Sequence, residues 1–407
     1  MGRSLAILGV PGVLDGGGAA DTSFSMTVTT TGAQQLKLDG LTVSASTTVD
    51  WGDGSSNDYT GSGARTHNYA GAGTWTVTIK QPLNVTLIDL RAVAKISSLT
   101  GANIVKLANL TSLRLEAVGT GLVWTVNNDA PMPSGITSLY LSTLPGLTWN
   151  VGSVAGANMP SKITSLTLGA LPGLTWNVGS VAGANMPSGI TSLYLSTFSG
   201  LTWNVGSVAG ANMPSGITYL NLQTLANLTW DVGSVAGANM PSGIKTLTLN
   251  TLTNLTWNVG SVAGANMPAN IIVLNLNTLA NLTWNVGSVA GANMPANCTL
   301  IEIVSCVTVT IEATDTLPAP LTSFRFENNL SQAAVDAVLA ALYLAFPTRT
   351  GTGGTIDLLG TGNAAPSGAS PGSPECPPTT GWNTAYELVN DSCGVSANHW
   401  ASVSLQT

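Results

Sequence analysis

Apolar and polar residues along this chain repeat with a period of 27 residues. The unit reads ITSLYLSTLPGLTWNVGSVAGANMPSK at 136–162 and recurs five more times with few changes. Within it, Leu139 and Leu141 alternate with polar neighbours, and a second alternating pair, Leu147 and Trp149, follows a Pro-Gly turn. Because successive side chains of a strand point to opposite faces, the pattern predicts two short half-buried strands in every unit.

The rest of the unit, GSVAGANMPSG at 179–189, has three glycines and a proline, which disfavour a long helix. We expect at most one helical or 3₁₀ turn there. Stacked units would pair like strands in parallel about 4.8 Å apart, with tryptophan on tryptophan and methionine on methionine inside. The predicted fold class is mainly β: an N-terminal β-sandwich, a parallel β-solenoid of 27-residue coils with regular repeats at 136–297, and a helical C-terminal cap.

The unit resembles the leucine-rich repeat family, whose units read LxxLxLxxNxL. The resemblance falls on five positions of the first unit, Ile136, Leu139, Leu141, Leu144 and Leu147. The family's asparagine is replaced here by Leu144, which removes the side-chain ladder that normally bonds the turn. A leucine-rich-like solenoid is therefore expected, with ladders of Thr148 or Asn150 as candidate substitutes.

Short runs of high β-propensity, separated by turn residues, fill residues 22–93 and predict a small β-sandwich. Its VDWGDG turn at 49–54, THNY corner at 66–69 and GTWTVTI strand at 73–79 resemble a PKD-type immunoglobulin-like domain. That resemblance implies an adhesive or spacer module. The small, Gly-rich residues 1–21 are predicted to form an N-terminal docking arm.

The predicted solenoid spans 94–330, and residues 331–359 are predicted to form the helical cap and a last strand. The cap helix is predicted because apolar residues follow a 3.6-residue spacing after a capping Ser331. Residues 360–380 are predicted to be a Gly/Pro/Ser linker. Residues 381–407 are predicted to be a C-terminal piece that is too short to fold without a Cys376–Cys393 bridge or packing on the cap.

Composition narrows the functional classes. Charged residues make up 8% of the 407 residues, against roughly 25% in a typical protein. The net charge is −7 and the 12 Lys and Arg are scattered, so a nucleic-acid partner is not predicted. No apolar run reaches the length of a membrane span. The N-terminus is a weak candidate for a signal peptide, and we expect release by cell lysis, as for a virus particle.

Four cysteines are present, Cys298, Cys306, Cys376 and Cys393, without a CxxC pair. A zinc site is not predicted, since the chain has only two histidines. The spacing is compatible with local disulfides, Cys298–Cys306 and Cys376–Cys393, and free buried thiols are the alternative. The carboxylates Asp50, Asp53 and Asp58 are weak candidates for a calcium site, but turn formation is the favoured explanation. No cofactor is predicted.

No catalytic residues are predicted, and the protein is expected not to be an enzyme. His67 has no nucleophile and orienting acid beside it in the sequence, and His399 beside Trp400 is interpreted as packing. The pair Glu302 and Glu312 would suit a glycan hydrolase only if both faced one cleft, and no other feature of the sequence indicates one.

Comparison of the six units separates fixed from variable positions. The segment LTWNVGSVAGANMP changes at one residue, Asp231, whereas the first strand varies at positions predicted to point outward. Drift is one explanation, and an adaptable binding surface is the other. We name these residues the variable face: Tyr140, Thr167, Tyr194, Tyr219, Asn221, Thr248 and Asn275.

The chain at 330–368 also resembles the C-terminal region of leucine-rich-like proteins of tailed bacteriophages and their hosts. The leading prediction is a structural virion appendage or decoration protein, joined to other virion proteins by its N-terminal arm. Its variable face would attach to a host surface glycan or protein. A secreted or cell-surface adhesin is the alternative, and an ice-binding protein or glycan hydrolase is less favoured. The expected location is the virion or the extracellular space.

Overall fold

The computed structural model describes residues 23–406 except for 92–94, 119–120, 307, 361, 369–371, 373 and 396–397. The predicted N-terminal arm lies outside the described residues. The predicted fold class is confirmed: the chain is mainly β, with a parallel β-solenoid of about 27-residue coils and helices near its C-terminus.

Four strands come first: β1 Phe24–Thr31, β2 Gln34–Asp50, β3 Ser56–Tyr69 and β4 Ala72–Ile79. Afterwards, the coils between residues 85 and 310 each add one strand to a first ladder and one to a second ladder, and the last coils add strands to the first ladder alone. The first ladder consists of β5 Val85–Arg91, β7 Ser112–Glu116, β9 Ser138–Ser142, β11 Ser165–Gly169, β13 Ser192–Ser196, β15 Tyr219–Gln223, β17 Thr246–Asn250, β19 Val273–Asn277, β21 Leu300–Val304, β23 Ser323–Glu327, β24 Thr355–Asp357 and β25 Ser402–Ser404.

The second ladder consists of β6 Ile96–Thr100, β8 Leu122–Thr125, β10 Leu147–Asn150, β12 Leu174–Asn177, β14 Leu201–Asn204, β16 Leu228–Asp231, β18 Leu255–Asn258, β20 Leu282–Asn285 and β22 Val309–Thr310. The α-helices are α1 Gly101–Ile104, α2 Gln332–Ala345 and α3 Gly381–Asn390.

The N-terminal strands and the solenoid share one sheet. Strands β1–β4 pair antiparallel, with β1 against β4 and β2 against β3. Strand β5 pairs antiparallel with β2 and in parallel with β7, while β6 pairs antiparallel with β1 and in parallel with β8. The sequence boundary at residue 93 therefore falls between two strands that both continue into the next coil.

The two ladders have different registers. In the first ladder like residues pair 27 apart, as Leu139 does with Leu166. In the second ladder the pairing is 25 residues apart, so that Trp149 lies opposite Leu174 rather than Trp176. The expectation of tryptophan on tryptophan is wrong for this pairing, because the second ladder is shifted by two residues. Each of these tryptophans lies opposite a leucine of the next coil instead.

The repeated tryptophans hold the return segments. Trp149 is fully buried, and its indole N–H donates a 2.8 Å hydrogen bond to the carbonyl of Ala157. Each regular unit repeats this bond at 2.7–2.8 Å, and Trp124 makes a 2.9 Å equivalent to Ala130. The acceptor ends a short 3₁₀ turn, Ala155–Ala157, as expected for the return.

One glycine of the return is required by the backbone. Gly152 has a φ of +79°, and a Cβ there would lie 2.8 Å from a methyl of Val181 in the next coil. The same positive φ recurs in every regular unit. Only glycine adopts it freely and leaves room for the neighbouring coil.

A threonine ladder replaces the missing asparagine ladder, but not at the expected positions. The hydroxyl of Thr164 donates to the carbonyl of Thr137 at 3.2 Å, and Thr191 and Thr218 continue the series. Thr148 and Asn150, the expected ladder residues, are exposed. The turn itself is held by backbone bonds between coils, such as Thr143 N–H to Gly169 O at 3.0 Å.

The C-terminal coils close the solenoid. The helix α2 begins after Ser331, whose hydroxyl accepts from Ala334 N–H, as predicted, and its apolar face of Val335, Val338, Leu339 and Leu342 is buried. Asn363 is 6% exposed, and its side chain bonds four backbone groups, those of Phe326, Asn328, Leu330 and Leu358. Part of the predicted linker is therefore packed against the last coils.

The C-terminal piece extends the first ladder rather than standing apart. Strand β25 pairs in parallel with β24, and α3 packs against α2. Arg349 is 5% exposed and lies 3.9 Å from the ring centre of Trp400. Its guanidinium donates to the carbonyls of Leu321, Gly353 and Asn398, which joins this piece to the solenoid.

Removing one indole N–H tests the role of the tryptophan bonds. Trp203→Phe keeps an aromatic ring but removes one of the two hydrogen bonds to the carbonyl of Ala211, which still accepts from Gly206 N–H. The loss should cost about 0.5–1.5 kcal/mol of unfolding free energy. Urea unfolding followed by circular dichroism measures this cost. The exposed neighbour Thr202→Ala is the control, and equal stability of the two variants would contradict the assigned role.

The backbone conformation of the residue that follows each first-ladder strand can be tested by substitution. Thr197 is exposed and has a φ of +49°, a left-handed conformation that β-branched residues rarely adopt. Thr197→Asn should raise the unfolding free energy by about 0.5–1 kcal/mol, because asparagine tolerates this region. The same change at Thr202, an exposed position within a strand, should not stabilise the protein. Calorimetry of both variants checks this.

Candidate functional site

The variable face lies on the outer side of the first ladder. The register aligns Tyr140, Thr167, Tyr194 and Asn221 on four neighbouring strands, and Thr248 and Asn275 continue the same row. The two leucines that flank each row residue in its own strand are buried. Because buried and outward-facing side chains alternate along each strand, the most variable residues of the repeat lie side by side in one row.

Two tyrosines of this row share a depression. Tyr140 and Tyr194 line a shallow hollow of about 530 Å³ together with Thr167, which lies on the strand between them. Both rings are half-buried. Arg91 lies 5.7 Å from the ring centre of Tyr140. Burial, with Glu116 nearby, raises the pKa of Tyr140, so its hydroxyl is neutral and donates hydrogen bonds at ordinary pH.

A hydrogen-bonded row crosses the face on β15. The amide of Gln223 donates to Asn221 Oδ1 at 2.8 Å, and Asn221 Nδ2 lies 3.4 Å from the hydroxyl of Tyr219. Tyr219 is 37% exposed, whereas Asn221 is 7% exposed. The row fixes the direction of the amide groups and leaves the tyrosine available.

Charged networks border the face at both ends. On the N-terminal side, the buried Asp89 binds Arg91 at 2.9 Å and Arg114 at 3.7 Å. Arg114 pairs across the ladder with Tyr140, so this network adjoins the row directly. This charged border was not predicted from the sequence, although charged residues outside the regular repeats pointed to it.

The C-terminal border is built around Arg325. It contacts Glu302 at 2.8 Å, Glu327 at 2.6 Å and Asp357 at 3.7 Å. Asn275, the last residue of the variable face, donates to Glu302 at 3.0 Å. The uncharged row therefore ends where this network begins.

The candidate calcium carboxylates bond separate groups. Asp50 accepts from Gly52 N–H, Asp53 from the N–H and hydroxyl of Ser55, and Asp58 from the hydroxyl of Thr48. These are the bonds of turn-forming aspartates. The geometry matches the turn interpretation of the sequence.

His67 is held in an aromatic stack beside this turn. Its ring is stacked on Trp51 at 4.9 Å and meets Tyr69 edge-on at 4.6 Å, while Nε2 lies 2.7 Å from Asp53. Tyr69 donates to the carbonyl of Trp51 at 2.9 Å. These contacts connect the turn to the neighbouring strand.

The two glutamates weighed as a hydrolase pair lie apart in the coil. Glu302 is on the first ladder and is bound by Arg325 and Asn275. Glu312 follows β22 of the second ladder, where its N–H donates to Asp315. His399 contacts the carbonyl of Trp400 at 3.4 Å.

The cysteines divide into two pairs. Cys376 and Cys393 form a disulfide, and the adjacent Glu387 accepts from Ser392 and from Cys393 N–H. Both sulfurs of this Cys-Glu-Cys group are thus engaged in the bond. The pairing closes a loop within the C-terminal piece.

Cys298 and Cys306 are free and fully buried. The candidate bridge between them is not formed, because they occupy two different core positions of the coil, those of Ile271 and Leu279 in the preceding unit. Burial raises the pKa of Cys298 to about 12 and that of Cys306 to about 11, which keeps both thiols protonated.

None of the helices in the described part of the chain has the length and hydrophobicity needed to cross a bilayer. Comparison of the chain with protein-family models, curated proteins and solved structures gave no match. The position and contacts of the variable face in the structure therefore make it the candidate site.

The low pKa of Asp53 should make the stability of the protein depend on pH. Hydrogen bonds from Ser55, and then from His67, lower the pKa of Asp53 to about 2, compared with about 3.9 in an unfolded chain. Its contribution to stability is therefore complete above pH 4 and is lost as the pH falls from about 4 to about 2. Asp53→Asn should flatten the decline of melting temperature over this range.

Ser55→Ala should flatten the same decline, because the Ser55 hydroxyl makes the largest contribution to the low pKa of Asp53. Thermal unfolding measured between pH 5 and pH 2 provides the comparison. The control is Thr229→Ala, an exposed substitution on the second ladder. A wild-type profile in both Asp53→Asn and Ser55→Ala would contradict the assignment.

Proposed function

We propose that this protein is a non-enzymatic attachment protein that presents the variable face to a partner. The observation that carries the proposal is the uncharged row of tyrosine, threonine and asparagine on the first ladder, bordered at both ends by ion-pair networks. The residues inside the coil are held by packing and by the tryptophan bonds, whereas these residues vary between units.

The chemistry of the row favours binding over catalysis. Tyrosine provides a rigid, partly apolar contact surface, and asparagine and threonine provide adaptable hydrogen bonds. The neighbouring carboxylates of Glu302 and Asp89 are held in ion pairs with arginine. These two carboxylates would have to leave their ion pairs before acting as a general acid or base.

The proposed setting is a phage virion, in which the protein is an exposed appendage or decoration. Support comes from the PKD-type resemblance of the N-terminal strands and from the phage-like resemblance at 330–368. The N-terminal arm, residues 1–21, would join other virion proteins. A bacterial adhesin is the alternative proposal, since the same face would serve attachment between cells.

Localisation separates the two settings. Antibodies against the solenoid should label particles in a purified virion fraction, and the chain should be found there together with capsid or tail proteins. A control fraction of cell envelopes from the same culture shows the background. Enrichment in envelopes, with none in particles, would contradict the virion setting and favour the adhesin.

A further inference from the structure

We propose that the ligand of the variable face is a neutral, extended β-1,4-linked polysaccharide, with Tyr140 and Tyr194 stacking on alternate sugars. This inference rests on the proposed attachment function and adds the chemical class of the ligand. It starts from the spacing of the two rings along the first ladder.

The spacing follows from the register. Tyr140, Thr167 and Tyr194 occupy the same position on three successive parallel strands. Because parallel strands lie about 4.8 Å apart, the two tyrosines are separated by about 10 Å along the ladder. One sugar of an extended β-1,4-linked chain advances by about the same step as one strand. Alternate sugars in such a chain present the same face, so each tyrosine would meet an equivalent sugar.

The strand between the tyrosines supplies the polar contact. Thr167, Ser142 and Ser196 line the shared depression. Their hydroxyls suit the hydroxyls of a sugar that faces the other way. Further along the row, Asn221 and Gln223 are already oriented by their mutual hydrogen bond. A chain laid along the ladder therefore finds apolar and polar contacts in alternation near its tyrosine end.

The charge of the surface selects a neutral ligand. The six regular units contain three charged residues, Lys162, Asp231 and Lys245, and none of them belongs to the variable face. A sulfated, phosphorylated or uronic-acid polymer would gain little ionic attraction from this row. The networks around Arg114 and Arg325 border the row. From Tyr140 to Asn275 the row covers six strands, with about 24 Å between the first and the last. That distance is five sugar steps, which places one sugar over each strand.

Binding of defined oligosaccharides to the full chain tests the class. Cellohexaose, chitohexaose and mannohexaose are the neutral β-1,4-linked probes, measured by calorimetry. We expect at least one of them to bind, and its disaccharide to bind much more weakly. Maltohexaose, which is α-linked, and an oligogalacturonate, which is anionic, should not bind comparably. Tighter binding of either one would overturn the assigned class.

A swap of two residues tests the spacing itself. The double variant Thr167→Tyr with Tyr194→Thr keeps two tyrosines at half-buried positions but places them one strand apart. It should lose about tenfold in affinity, as should Tyr194→Ala. Thr175→Ala, an exposed change on the second ladder, is the matched control and should bind as the wild type does. Unchanged affinity of the swapped variant would overturn the stacking arrangement.

The same variants separate this inference from the attachment function. If no hexasaccharide binds, while wild type but not Tyr140→Ala with Tyr194→Ala adheres to intact host cells, the polysaccharide class is wrong and attachment stands. A protein receptor is then the remaining occupant. If neither sugars nor cells depend on the tyrosines, both proposals fail.

Discussion

The hydrogen bond from each buried indole to the alanine carbonyl eight residues later sets the geometry of every regular coil. A Gly-rich return has little apolar surface with which to order itself. The bond attaches the end of a short 3₁₀ turn to the core, and Gly152 N–H donates to the same carbonyl. Because each return has the same length and anchor, the next strand begins 27 residues later at the same height in the coil. The residues of the variable face are aligned on neighbouring strands because of this constant spacing.

The sequence predicted the first ladder well and the second ladder poorly. Alternation of leucine with polar residues determines which side of β9 is buried, and the period determines its partner. Nothing in the repeat period reveals the two-residue shift that places Trp149 opposite Leu174. The shift is a backbone register, in which Trp149 N–H donates to Gly173 O, and the period alone does not specify it. The threonine ladder was misplaced for a related reason, since hydrogen bonds along a stack depend on the path of the backbone.

The candidate site was predictable in its residues but not in its borders. Comparing units identified Tyr140 and Tyr194 as outward positions, and the ladder register brings them into one depression. The networks of Asp89 and Arg325 come from coils that match the repeat least. Their partners are neighbours across strands rather than along the chain, so only pairing reveals them. The cysteines show the same limit: Cys298 and Cys306 are close in sequence but occupy separate core positions.

The first ladder continues at both ends into further strands within the described residues, and this bears on how the face would bind. An open sheet edge offers unpaired backbone groups to other chains. Here β5 is paired with β2 at one end, while β24 and β25, secured by Arg349, extend the other. The strands between these ends are held in register by backbone bonds on both sides. A face built on such a sheet is ordered before a ligand arrives, so association loses less conformational freedom than it would with a loop.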